Sequence, residues 1–122
     1  MKTREQLKRE YKEHRRPAGV FWVKNTRNGK VLLGSSLNLE GSLNRHKFML
    51  SIGGHPNIAL QRDWNTFGAE AFAFEILEEV KATDDPDFNP EDELTLLEQI
   101  WLEKLQPFGE RGYNTDARIR QA

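Results

Sequence analysis

Ser42 and His46 stand one helical turn apart in the stretch GKVLLGSSLNLEGSLNRH, which runs from Gly29 to His46, with Arg45 beside the histidine. A serine hydroxyl next to an imidazole could be the start of a Ser-His-carboxylate device. Serine and histidine are common neighbours on helices, however, and no nucleophile elbow surrounds this pair. The same stretch reads as a strand leaving a turn, then a capped loop, then the start of a helix. That arrangement, with Arg45 and His46 trailing, suits a phosphate against the inner face of the helix. A cation would be expected one turn before His46, yet Ser42 is there. No Gly-rich phosphate loop, His-Glu-x-x-His helix or spaced Cys/His cluster occurs, and the chain has no cysteine for a disulfide or thiolate metal site.

The elements that must position these groups follow from patterning. Residues 3–15 are helix formers with Leu7 and Tyr11 on one face, which predicts an exposed, basic, amphipathic N-terminal helix stopped by Pro17. Val20 to Val23 and Lys30 to Leu33 flank a turn ending Asn28-Gly29, the signature of a β-hairpin. Ser36 or Asn38 can cap a helix to about Ile52 in which Leu39, Leu43, His46 and Leu50 share a face, and Gly53-Gly54 ends it. Asn57 opens a shorter helix closing at Gly68. In residues 71–80, Phe72, Phe74, Ile76 and Glu78 share one parity and predict a third strand. The polar, Pro-rich run 84–90 is a surface loop. From Glu91 a helix turns Leu94, Leu97, Ile100 or Trp101, and Leu105 inward, with carboxylates in its first turn. The large aromatics Phe21, Trp22, Phe48, Trp64, Phe67, Phe72, Phe74 and Trp101 are expected mostly in the core.

At 122 residues and 37% hydrophobic content the chain supports one core and is too short for two ordinary domains. The expected class is α+β, a small, mainly antiparallel three-stranded sheet covered by helices, in one domain over 17–114 with the basic helix over 1–16 before it and a short tail over 115–122. No apolar run of signal-peptide or membrane-spanning type occurs, so a cytoplasmic chain is the expectation. The net charge of −1 hides a polarity: residues 1–16 carry seven Lys or Arg against three Glu, 17–74 six against three acids, and 75–104 two against eleven acids. One part of the chain can meet a polyanion and the other cannot. Charge alone does not establish nucleic-acid binding.

A set of short pieces in register carries more. Gly19-Val20-Phe21, Leu32-Leu33-Gly34-Ser35-Ser36, Asn38-Leu39, Leu43-Asn44-Arg45-His46, His55-Pro56-Asn57, Leu60-Gln61-Arg62-Asp63-Trp64-Asn65, Phe67-Gly68, Phe74 to Glu79, Leu97 to Trp101 and Gly112-Tyr113-Asn114 resemble, in order and spacing, the GIY-YIG nuclease domain. The resemblance spans roughly Gly19 to Asn114 and implies the same α+β fold. It also implies metal-dependent cleavage of a DNA phosphodiester by two tyrosines, an arginine, a histidine, a glutamate and an asparagine set around the scissile phosphate. Carried over by position, the tyrosines become Phe21 and Leu32 and the arginine becomes Ser42. The histidine is kept as His46, a second one seen in some members as His55, the metal-binding glutamate as Glu98 and the asparagine as Asn114.

The losses bear on hydrolysis directly. An attacking water needs a proton acceptor, and Phe21 has the ring of a tyrosine without its oxygen. Charge developing on the phosphoryl oxygens favours a guanidinium, where Ser42 offers one neutral hydroxyl. A lone carboxylate such as Glu98 can still hold Mg²⁺ or Mn²⁺ weakly, with waters and substrate phosphate completing the shell, or can simply be solvated. His46 either contacts phosphate or fills the core edge beside Leu43 and Leu50. Asn114 either bonds substrate or closes a turn, and His55 either binds nucleic acid or packs its loop. Arg45 could curl back toward the place of the missing cation.

Three readings result. The first is an impaired nuclease-family domain that docks on DNA through the N-terminal helix and a ridge of Arg45, His46 and Lys47, with His55 nearby. The second is a slow Mg²⁺- or Mn²⁺-dependent endonuclease using Glu98 and His46. The third is a protein-interaction module whose partner the sequence does not name. In the first two, Phe21, Leu32, Ser42 and Glu98 should border one cleft.

Overall fold

The computed structural model describes residues 3–4, 17–81 and 83–115. Apart from residues 3 and 4 the expected N-terminal helix, and apart from Thr115 the tail, lie outside the described residues.

Strands β1 (Gly19–Asn25) and β2 (Val31–Ser36) form the expected antiparallel hairpin. Its turn is held by two asparagines that accept from the backbone two residues on: Asn25 from Arg27 N and Asn28 from Lys30 N, each at 2.9 Å. Gly29 then supplies φ of +79°, a conformation that L side chains rarely adopt. Strand β3 (Phe72–Glu79) pairs antiparallel with the other edge of β1, giving the order β2-β1-β3. Helices α1 (Leu39–Ser51), α2 (Ile58–Phe67) and α3 (Pro90–Leu105) complete the α+β fold. Each starts on an asparagine cap, Asn38, Asn57 and Asn89, whose side chain accepts a first-turn N–H. Asn38 is the cap of α1, while the Ser36 hydroxyl braces the Asn38 backbone.

The central strand β1 is buried on both faces, so each face has its own core. On one, Phe21 and Val23 pack with Leu39 and Leu50 of α1, Leu60 of α2, Phe72 and Tyr113. On the other, Val20 and Leu33 pack with Leu97 of α3, flanked by Leu77, Val80, Trp101, Leu102 and Leu105. By the alternation of β2, Leu32, Gly34 and Ser36 share the Phe21 face, and Leu33 and Ser35 the α3 face.

Three expectations need correction, and one alternative is resolved. The pairing of β1 with β3 shifts between Val20 and Phe21, which breaks the single parity of β3. Leu77 joins the α3 core, Ile76 is 47% exposed, and Glu78 accepts from the Trp101 indole at 2.9 Å. Ile100 points outward, leaving Trp101 as the inward residue of that pair. Phe48 and Phe67 are exposed rather than core, 63% and 42%. Phe48 sits on α1 opposite the stripe of Leu39, Leu43 and Leu50, which spends the buried face before reaching it.

The C-terminal segment closes the outer edge of β2. Tyr113 N donates to Val31 O at 2.9 Å, and the Asn114 side chain both accepts from Leu33 N and donates to Leu33 O, each at 2.8 Å. The Tyr113 ring is buried, and its hydroxyl donates to Asp63 at 2.7 Å and accepts from the buried Asn25 at 3.1 Å. Burial and the Asp63 carboxylate push this phenol up to about 12.

Candidate functional site

Phe21 lies opposite Gly34 in the register, and its ring tip covers that glycine so closely that a Cβ there would sit 2.7 Å from Cζ. Only glycine leaves room for the ring at this position. The other side of the ring meets His46 of α1, centroids 5.4 Å apart and tilted by 52°. His46 is half-buried and in turn stacks on His55 at 5.0 Å, with His46 Nδ1 and His55 Nε2 2.8 Å apart. His55 is 7% exposed, in the loop before α2. Its Nδ1 accepts from Asn57 N at 3.0 Å and its own N–H donates to the buried Gln61 side chain at 3.0 Å. Burial first, then the Arg45 guanidinium, holds His46 below the usual imidazole range. Burial and its His46 neighbour lower His55 further, to about 4.

Along the same face, the Ser42 hydroxyl donates to Ser36 Oγ at 2.5 Å, and Ser36 Oγ also accepts from Asn38 N at 2.9 Å. The proton of Ser42 is therefore used inside the strand-to-helix junction. Leu32 and His55 border a shallow groove of about 530 Å³ whose other walls include Asn57, Ile58 and Tyr113. Glu98 arrives differently. It projects from α3, on the opposite face, and accepts a hydrogen bond from Ser35 Oγ at the edge strand β2. Phe21, Leu32, Ser42 and His46 thus share one face of the sheet and Glu98 stands on the other, so that of the four residues expected to border one cleft only Leu32 lines the groove.

The supposed ridge of Arg45, His46 and Lys47 is not one surface, because consecutive helical residues are about 100° apart. Arg45 is exposed and near enough to His46 to depress its basicity. His46 turns inward onto Phe21, and Lys47 leans to the opposite flank with Nζ 5.1 Å from the Phe74 ring centre. Asn114, expected either at substrate or in a turn, spends both ends of its amide on Leu33. Ser35 was not singled out by its type, and Ser36 and Asn57 only as helix caps, not as members of the site. Their importance comes from neighbours 63, 6 and 2 residues away, and no local spacing announces it.

No group of three or more His, Asp or Glu among the described residues is arranged to hold a metal ion. Glu98 alone fits one kind of site, a single carboxylate completed by waters and a bound phosphate.

A three-stranded sheet with a paired histidine, a serine junction and one carboxylate at its edge makes up a small α+β domain. No family model matches the chain. It is similar to the catalytic domain of homing endonuclease I-TevI, at 33% identity and a TM-score of 0.65, covering 81% of this chain and 98% of that one. A mutant of the same catalytic domain gives a TM-score of 0.64 at 33% identity, with 80% and 92% covered. Intron-associated endonuclease 1 of Enterobacteria phage T4 is 34% identical over 88 residues, 72% of this chain. The chain spans about a third of the length of that curated relative, the match covering 33% of it. The chain belongs to the GIY-YIG nuclease family. Among the described residues, no helix is long and apolar enough to cross a membrane.

Proposed function

We propose that this chain binds DNA through its phosphates and is impaired in cleaving it. The carrying observation is where the protons and lone pairs go. At two family positions the side chains are apolar, Phe21 and Leu32. At a third, the Ser42 proton is donated to Ser36, and at a fourth, the Asn114 amide is committed to Leu33. No hydroxyl or guanidinium at these positions is left to deprotonate a water or neutralise a phosphoryl oxygen. Binding asks for less. Arg45 on the helix of the site is exposed, and exposed cations need only release counterions to hold a duplex. Glu98, with one oxygen engaged by Ser35, could hold Mg²⁺ or Mn²⁺ weakly once a phosphate is present, and the metal would supply charge neutralisation there.

The test restores the lost groups. Phe21→Tyr, Leu32→Tyr and Ser42→Arg, combined, should raise metal-dependent nicking of a supercoiled plasmid by at least about 10²-fold, the usual worth of one stabilising group. Wild type should bind a short duplex with an affinity that falls steeply with salt. Metal-dependent nicking by wild type that Glu98→Ala abolishes would replace the impaired binding module by the endonuclease reading. No binding at low salt would end the DNA reading.

A further inference from the structure

His46 has two ring nitrogens, and the hydrogen bonds around the histidine pair decide which one carries its proton. His55 Nδ1 accepts the Asn57 backbone N–H at 3.0 Å, so that nitrogen presents a lone pair. A neutral imidazole has one N–H, and that of His55 must then be on Nε2. This N–H faces His46 Nδ1 at 2.8 Å, which makes His46 Nδ1 the acceptor and leaves the His46 proton on Nε2. The origin of the relay is fixed by backbone: Asn57 caps α2, and the Gln61 side chain ties the backbone N–H of His55 to Leu50 O through two bonds of 3.0 Å. No buried side-chain nitrogen or oxygen among the described residues lacks a partner. The His46 Nε2–H, for which no partner exists among them, is therefore open to solvent. Among the described residues Arg45 is the charged group acting on His46 and His46 the titratable group acting on His55, so no carboxylate among them is placed to stabilise an imidazolium of either ring.

We infer that His55, oriented by the Asn57 backbone, is a positioning residue that fixes His46 as a neutral Nε2–H donor to a non-bridging phosphate oxygen. This rests on the DNA-binding reading above. A histidine wired in this way donates at Nε2 and has no lone pair there to accept a proton from water. It binds the anion and does not act as a base.

Long-range ¹H–¹⁵N spectra of the imidazoles of the full wild-type chain near neutral pH test the wiring without any substitution. Both His46 and His55 should be Nε2–H tautomers; an Nδ1–H form of either would overturn the inference. His55→Ala should release His46 into a mixture of tautomers with a pKa nearer the ordinary value, whereas His55→Gln, which keeps an N–H within reach of His46 Nδ1, should preserve the single form. An unchanged His46 in a folded His55→Ala protein would also overturn it. Adding a short DNA duplex should shift His46 Nε2–H and leave Nδ1 nearly still. If the duplex binds and that signal does not move, the phosphate role is lost while the DNA reading stands. If no duplex binds although the tautomers are as stated, the DNA reading itself has failed and takes the phosphate role with it.

Discussion

The two faces of the sheet carry opposite electrostatic character. Over the Phe21 face, α1 has one acid, Glu40, and two bases, Arg45 and Lys47. Over the other face, α3 opens with Glu91, Asp92 and Glu93 and continues with Glu98 and Glu103, against one Lys104. A polarity written along the chain becomes a polarity across a sheet, because β1 is central and the helices that follow it are divided between its faces. On the DNA-binding proposal phosphate would approach from the α1 side, with α3 contributing only where Ser35 draws Glu98 to the strand edge.

Truncation of each core measures how far the faces differ in packing. Leu60 is fully buried in the α1 and α2 core and Leu97 is 7% exposed in the α3 core. Leu60→Ala should cost about 2–5 kcal/mol in urea unfolding and Leu97→Ala the lower part of that span. Equal costs would show that the smaller cluster is as tightly packed as the larger. Asn114→Ala leaves both Leu33 backbone groups without their side-chain partner and should cost about 1–3 kcal/mol, with little effect on DNA affinity. A large loss of affinity at unchanged stability would instead give Asn114 to the ligand.

Acid and base should act on different parts of the Phe21 face. The folded His55 has its pKa lowered to about 4, so between the unfolded value of 6.5 and 4 the unfolded chain binds more protons. Stability from this group is complete above pH 6.5 and declines as pH falls toward 4. Tyr113 has its pKa raised from 10.0 to about 12, so its contribution is complete below pH 10 and declines as pH rises toward 12. Thermal midpoints in these two windows should lose their slopes in His55→Gln and Tyr113→Phe respectively. The smallest effect is on salt dependence. Arg45→Ala should reduce the slope of log affinity against log salt by about 0.9, whereas Glu103→Gln on α3 should leave it unchanged. A larger response at Glu103 would move the DNA to the other face.

Much of this could be read before the structure. The Asn28-Gly29 turn, the caps Asn38 and Asn57 and the stop at Gly68 are local chemistry, and each falls where its residue types require. The in-register pieces also located Phe21, Leu32, Ser42 and His46, which the fold gathers on one face. What stayed hidden depends on partners distant in sequence. The shift opposite Val20 and Phe21, which exposes Ile76, belongs to the pairing and leaves no mark in the composition of β3. Asn114 reads as either a substrate contact or a turn residue until its amide is found on Leu33, 81 residues earlier. The direction of Lys47 away from Arg45 was available from helical geometry, but its seat on Phe74 was not.

The closing of β2 by Gly112 to Asn114 has a consequence for the solution behaviour of the chain. Without that segment the outer side of the hairpin would offer unsatisfied backbone donors and acceptors beside Val31 and Leu33, a template on which another molecule's strand can add. Cutting the chain before Gly112 should therefore raise its self-association as well as lower its stability, which sedimentation of the shortened chain would measure.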